Sequence, residues 1–136
     1  MTAKTLYTAK VHTTGGRDGA AKSADGQLDV KLATPGTGRA GTNPEQLFAA
    51  GWSACFRSAM DLAAKEKGAT LPADTAVDAE VNLNLSETGF FLTAKLNVTV
   101  PGLAKDVAEA VIARAHQLCP YSKMTRDGIE ANVALV

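Results

Sequence analysis

Aromatic residues make up only 5% of this 136-residue sequence, against 46% apolar residues in all, so its core has to be built largely from Ala, Val and Leu. An excess of charge of one sign is also missing, because 14 basic residues balance 14 acidic ones and the formal charge is zero. That removes the basic footprint on which phosphate-backbone binding depends, and no nucleic acid is expected as a partner. No stretch approaches the roughly 20 consecutive apolar residues of a membrane-spanning helix, and Met1 to Tyr7 lack the apolar run of a signal peptide. A cytoplasmic protein that does not engage a membrane is therefore expected. Cysteine and histidine are scarce, at two each. Two thiols in a reducing compartment are rarely a structural staple. The spacing of His12, Cys55, His116 and Cys119 matches no usual zinc pattern, so neither a metal nor a bound cofactor is expected. Catalysis or plain burial is left for the two cysteines.

What is present reads as one α+β domain spanning residues 1–136. Val77, Ala79, Val81, Leu83 and Leu85 alternate with polar residues, and after Ser86-Glu87-Thr88-Gly89 a second alternation runs from Phe90 to Val100. The two predict a long hairpin. Shorter alternations predict strands over 28–32 and 129–135, and a Thr-rich segment predicts another over 4–14, ended by the turn Gly15-Gly16-Arg17-Asp18-Gly19. Asn43, Pro44 and Gln46 form an N-cap, a first-turn proline and a capping-box partner, which starts a helix that continues to about Lys67 and stops at Gly68. Its half from Leu47 to Phe56 is apolar nearly all round. A second helix is predicted from Leu103 to Leu118, closed by Pro120, with Cys119 at its end.

Cys55 lies in the apolar half of the first helix. It is either a small buried hydrophobe with an inert thiol or a nucleophile, and a nucleophile needs something to hold a thiolate. Two devices are available in the sequence. A break at Gly51 with Ser53 as a new N-cap would put Cys55 in a first turn, where the helix dipole favours an anion. Alternatively an arginine arrives from a loop, where Arg17 in its glycine-flanked turn is better placed than Arg39. Cys119, at a helix C-terminus, is the poorer first nucleophile of the two thiols.

The strings Thr13-Thr14-Gly15-Gly16-Arg17-Asp18-Gly19, Asp25 to Leu32, Gly41-Thr42-Asn43-Pro44-Glu45-Gln46-Leu47-Phe48-Ala49-Ala50-Gly51, Ser53-Ala54-Cys55-Phe56 and Cys119-Pro120-Tyr121-Ser122 resemble, in order and spacing, the organic hydroperoxide resistance proteins (Ohr) of the Ohr/OsmC superfamily. The resemblance covers essentially the whole chain, and the early Gly-Gly-Arg-Asp-Gly turn points to the Ohr branch. It implies antiparallel sheets wrapped around two central helices in an intertwined homodimer. It also implies a thiol peroxidase for alkyl and fatty-acid hydroperoxides. Cys55 matches the peroxidatic cysteine, Cys119 the resolving one, and Arg17 and Glu45 the pair that holds the site. Recycling by dihydrolipoyl groups on lipoylated proteins is implied as well.

In physical terms, Arg17 would favour the thiolate and the departing alkoxide, with Glu45 fixing the guanidinium by a bidentate pair. Phe48, Trp52, Phe56 and Met124 would make an apolar substrate pocket. Glu45 and Cys55 are ten residues apart, about 15 Å along an unbroken helix, so a shared site requires the break near Gly51 or donation from a second subunit. Three other readings fit the same residues: an OsmC-type peroxidase using another arginine such as Arg39, a non-enzymatic thiol redox sensor, and a carrier for apolar ligands.

Overall fold

The structure, a computed structural model, describes residues 2–136, which form two compact units meeting in sequence between Leu47 and Phe48. In the first unit β1 (Val11–Thr14), β2 (Ala20–Ser23) and β3 (Asp29–Lys31) form an antiparallel sheet in that order. Thr14 stands opposite Ala20, and Lys22 opposite Asp29. A single 3-10 turn, Gly16–Asp18, joins β1 to β2 and carries Arg17. Gly15 enters it at φ +73°, and a Cβ on Gly19 would lie 1.8 Å from the Thr14 carbonyl oxygen, so side chains are excluded at both ends of the turn.

α1 spans Pro44–Glu66. The Gln46 N–H donates to Asn43 Oδ1 at 2.8 Å, the cap that the sequence predicts. The reciprocal half of the capping box is replaced, because Gln46 Oε1 accepts from the Thr42 hydroxyl at 2.8 Å. At the far end Gly68, at φ +69°, lets its own N–H reach Lys65 O and the Ala69 N–H reach Ala64 O, which closes the last carbonyls of α1.

The second unit packs α1 from Phe48 onward with β4 (Ala76–Ser86), β5 (Gly89–Thr99), α2 (Lys105–Leu118) and α3 (Pro120–Asp127). Trp52, Phe56, Ala59, Met60, Ala63 and Ala64 from α1 meet Val111, Ala115 and Cys119 in one buried cluster. Val77, Leu96 and Val98, from the base of the β4–β5 hairpin, pack against it. The hairpin forms as predicted, with Val77 opposite Val98, Leu83 opposite Leu92 and Leu85 opposite Phe90. Toward its tip the same face is bare, and Leu85 and Phe90 are 70% and 74% exposed.

Three readings are corrected. α1 runs unbroken through Gly51, and Ser53 caps nothing: its hydroxyl donates back to Ala49 O at 2.7 Å and Ala50 O at 3.2 Å, as serines inside helices do. Residues 129–135 form no strand, and Ile129, Val133 and Leu135 are exposed. The strand expected over 4–14 is reduced to Val11–Thr14. In both terminal segments the alternation is real but no strand lies alongside to complete the ladder. Pro120 closes α2 after Leu118 as expected, and it is also the first residue of α3, a helix not anticipated, with Cys119 as N-cap. β2 was not anticipated, since Ala20-Ala21-Lys22-Ser23 is too short and too poor in β-formers to signal a strand.

Met60 is fully buried at the centre of the cluster. Met60→Ala is expected to lower the unfolding free energy by about 2–5 kcal/mol in a urea titration. A loss below about 1 kcal/mol, the size of an ordinary surface change, would mean that this cluster is not the stabilising core.

Candidate functional site

The residues singled out by sequence fall into two constellations, one in each unit. In the first, Glu45 on the opening turn of α1 receives both arms of the Arg17 guanidinium, Nη1 to Oε2 at 2.9 Å and Nη2 to Oε1 at 2.6 Å. This is a fork-to-fork pair, which fixes the plane of the guanidinium as well as its position. Glu45 is only 13% exposed and Arg17 39%. The hydrogen bond from Arg17 holds the Glu45 carboxyl below its ordinary value, against the effect of burial. Arg39 is engaged elsewhere: its Nη2 pairs with Asp18, whose Oδ1 also accepts from the Thr34 N–H at 3.1 Å and the Thr34 hydroxyl at 2.9 Å. Of the two loop arginines, Arg17 is the one that Glu45 holds.

In the second unit the two thiols meet. Cys119 is fully buried at the junction of α2 and α3, and its thiol donates to Cys55 Sγ, half-buried on α1, at 3.4 Å. Both cysteines are free. The Cys55 thiol stands above its ordinary value, because burial pushes it up and the adjacent Cys119 adds to this, while the Tyr121 backbone pulls it part of the way down. The influence that favours the thiolate comes from the first turn of α3. Cys119 ends α2 and begins α3 at once, so its position at a helix C-terminus is only half of its environment.

Aromatic residues enclose this junction. Phe48 meets Trp52 edge-on at 5.7 Å between ring centroids and meets Tyr121 at 6.2 Å. The Trp52 indole N–H donates to the buried Ser122 hydroxyl at 3.1 Å. Trp52 and Phe56 also line an apolar cavity of about 330 Å³ with Leu96, Val98, Ile112, Ala113 and His116. Phe48 and Met124 lie outside that lining, and Met124 is half-buried on α3 away from the core cluster. The four expected pocket residues therefore do not share a single cavity. Tyr121 and Ser122 were not assigned roles from sequence, although the proline directly after Cys119 is a helix-start signal that pointed to them.

Residues 35–134 match the model of the OsmC-like protein family. The chain is 44% identical over 136 residues to the organic hydroperoxide resistance protein of Xanthomonas axonopodis pv. citri (strain 306), covering 97% of this chain and 96% of that protein. It is 40% identical over 135 residues to the organic hydroperoxide resistance protein OhrB of Bacillus subtilis (strain 168), covering 96% and 98%. The crystal structure of Bacillus subtilis OhrB is similar with a TM-score of 0.84 at 41% identity, over 90% of this chain and 93% of that one. An organic hydroperoxide resistance protein from Legionella pneumophila gives a TM-score of 0.84 at 42% identity, over 92% and 93%.

The Arg17–Glu45 pair carries a pH signature. Glu45→Gln should lower stability at neutral pH. A carboxylate held below its unfolded value stabilises fully above that unfolded value and loses the contribution as pH falls through the folded one. The difference in melting temperature between wild type and Glu45→Gln is thus expected to close on acidification. A difference that persists unchanged down to about pH 2 would mean that the ionised pair is not its source.

Proposed function

The chain belongs to the OsmC-like proteins and, within them, to the organic hydroperoxide resistance proteins, and from that membership we propose that it is a thiol peroxidase reducing alkyl and fatty-acid hydroperoxides to alcohols. The observation that carries the mechanism is the 3.4 Å separation of the Cys55 and Cys119 sulfurs. A thiolate at Cys55 attacks the distal peroxide oxygen, the O–O bond breaks, and the alkoxide leaves and takes a proton as alcohol. The sulfenic acid left on Cys55 is then attacked by Cys119 sulfur, and water departs as the disulfide forms. A dihydrolipoyl group, oxidised to its own cyclic disulfide, returns both thiols. No cofactor stays bound in this cycle. The need for reduced thiols suits a cytoplasmic location, and no helix of the described residues is long and apolar enough to cross a membrane.

In this reading Arg17, oriented by Glu45, supplies the positive charge for the thiolate and the departing alkoxide. Arg39, tied to Asp18 and Thr34, is the weaker alternative. Phe48, Trp52, Phe56 and Met124 supply the apolar surroundings that favour organic hydroperoxides over hydrogen peroxide. The chain works as one Ohr/OsmC-like domain that pairs into a homodimer. The bare hairpin residues Leu83, Leu85, Phe90 and Leu92 and the unpaired terminal segments support this, because an apolar face and alternating strands without partners are what a second copy would cover. Ten residues of the unbroken α1 separate Glu45 from Cys55 in one chain, so the Arg17–Glu45 pair of one copy is taken to serve the cysteines of the other.

Purified protein is expected to consume tert-butyl hydroperoxide steadily with dihydrolipoamide, and Cys55→Ser to abolish this. Cys119→Ser should consume about one equivalent and then slow, since the sulfenic acid has lost its resolving thiol. If wild type consumes no more than Cys55→Ser, the peroxidase reading fails and a sensor or carrier takes its place. Sedimentation should give twice the 14.1 kDa of the chain. Arg17→Ala should slow the peroxide step by roughly 10²-fold. Arg17→Ala chains refolded together with Cys55→Ser chains should recover activity that neither has alone. A mixture as inactive as its parts would place Arg17 beside the cysteine of its own chain.

A further inference from the structure

Gly51 lies one turn before Cys55 on α1, and residues four apart share a helix face. A Cβ at Gly51 would lie 2.5 Å from Tyr121 Oη and 3.0 Å from its Cζ, so the Tyr121 ring occupies the space that a side chain there would fill. The next residue, Trp52, donates its indole N–H to Ser122, and both are buried. Consecutive residues of α1 thus grip consecutive residues of the first turn of α3. The opening N–H groups of a helix have no acceptor within it. Pro120 has no N–H to offer, and the Cys119 side chain does not cap α3 but turns to Cys55. The first free donor of α3 is therefore the Tyr121 N–H, which pulls the Cys55 thiol down, and the N-cap residue of α3, Cys119, stands with its sulfur 3.4 Å from that of Cys55.

We propose that Gly51, Tyr121 and Ser122 are positioning residues for the Cys55 nucleophile: the close Gly51–Tyr121 approach and the Trp52–Ser122 hydrogen bond seat the uncapped N-terminus of α3 on the sulfur. The partial positive charge at that helix end then favours sulfur as an anion. The inference rests on the reading of Cys55 as the nucleophile. It assigns to α3 the task that a break in α1 was one of two candidate devices to perform. Among the described residues, Cys119 is the titratable group that acts on Cys55 from the elements packed on it within this unit.

The test measures alkylation of Cys55 by iodoacetamide as a function of pH in full-length Cys119→Ala protein, where a single thiol titrates and no side chain at residue 119 competes for the Tyr121 N–H. Gly51→Ala is expected to raise the midpoint by about one pH unit, which is roughly tenfold less thiolate at any pH well below it. Adding Tyr121→Phe, which removes the closest clashing atom, should recover part of that shift. Ser122→Ala should move the midpoint in the same direction by a smaller amount. A residue that served folding alone would lower the melting temperature and leave the midpoint in place. Midpoints unmoved in both Gly51→Ala and Ser122→Ala would overturn the proposal, and Ser122→Ala decides alone if Gly51→Ala does not fold. Alkylation needs no peroxide, so its outcome stands apart from the peroxidase assay: a failed assay with shifted midpoints would remove the reaction and keep the α3 device.

Discussion

An α-helix that runs unbroken through a cysteine cannot stabilise that cysteine's thiolate with its own backbone. Along α1 each N–H around residue 55 is committed to a carbonyl four residues earlier, and both ends of the helix are about three turns away. Every stabilising influence on Cys55 must be imported. This constraint explains why α2 and α3 are joined as they are. One residue, Cys119, serves as the end of one helix and the start of the next, which presents to Cys55 both a second thiol and a fresh set of unsatisfied N–H groups. Arg17 is held with both arms by Glu45, so its guanidinium is oriented before it meets any other group.

Features that a segment determines by itself were legible in the sequence. Asn43 and Pro44 start α1, Gly68 ends it, and the alternations on either side of Ser86–Gly89 pair into the predicted hairpin. The Arg17–Glu45 partnership, implied by resemblance, is formed to the letter of a bidentate pair. Features that depend on a neighbouring surface were not legible. Glycine at residue 51 suggested a break, because glycine weakens an isolated helix. Its reason lies instead in the Tyr121 ring, seventy residues further along the chain. Proline at residue 120 was taken as an end because prolines stop helices, yet the same residue starts them equally well. The alternation over 129–135 signals a capacity for pairing, and capacity does not specify where the partner strand comes from.

The apolar cavity beside Trp52 and Phe56 shows how one side chain takes part in several tasks. Trp52 fills core, walls the cavity and anchors Ser122 through its only hydrogen-bonding group. In a chain with a single tryptophan and few other aromatic residues, the large side chains are concentrated where helices meet, while alanines and valines fill the remainder. Substitutions at Trp52 therefore act on packing and on the seating of α3 together, and these effects do not add independently.

The β4–β5 hairpin has two unlike faces. Opposite the apolar row, Asn82 and Asn84 both donate to the Thr93 hydroxyl, and Asn97 donates to Glu80. A ribbon that is greasy on one side and laced with hydrogen bonds on the other can stack through its greasy side only once, because the pair that results shows polar faces outward. A second copy stacked on the greasy side would leave no further greasy side exposed, so growth by this route would end at two rather than run on into open-ended aggregation.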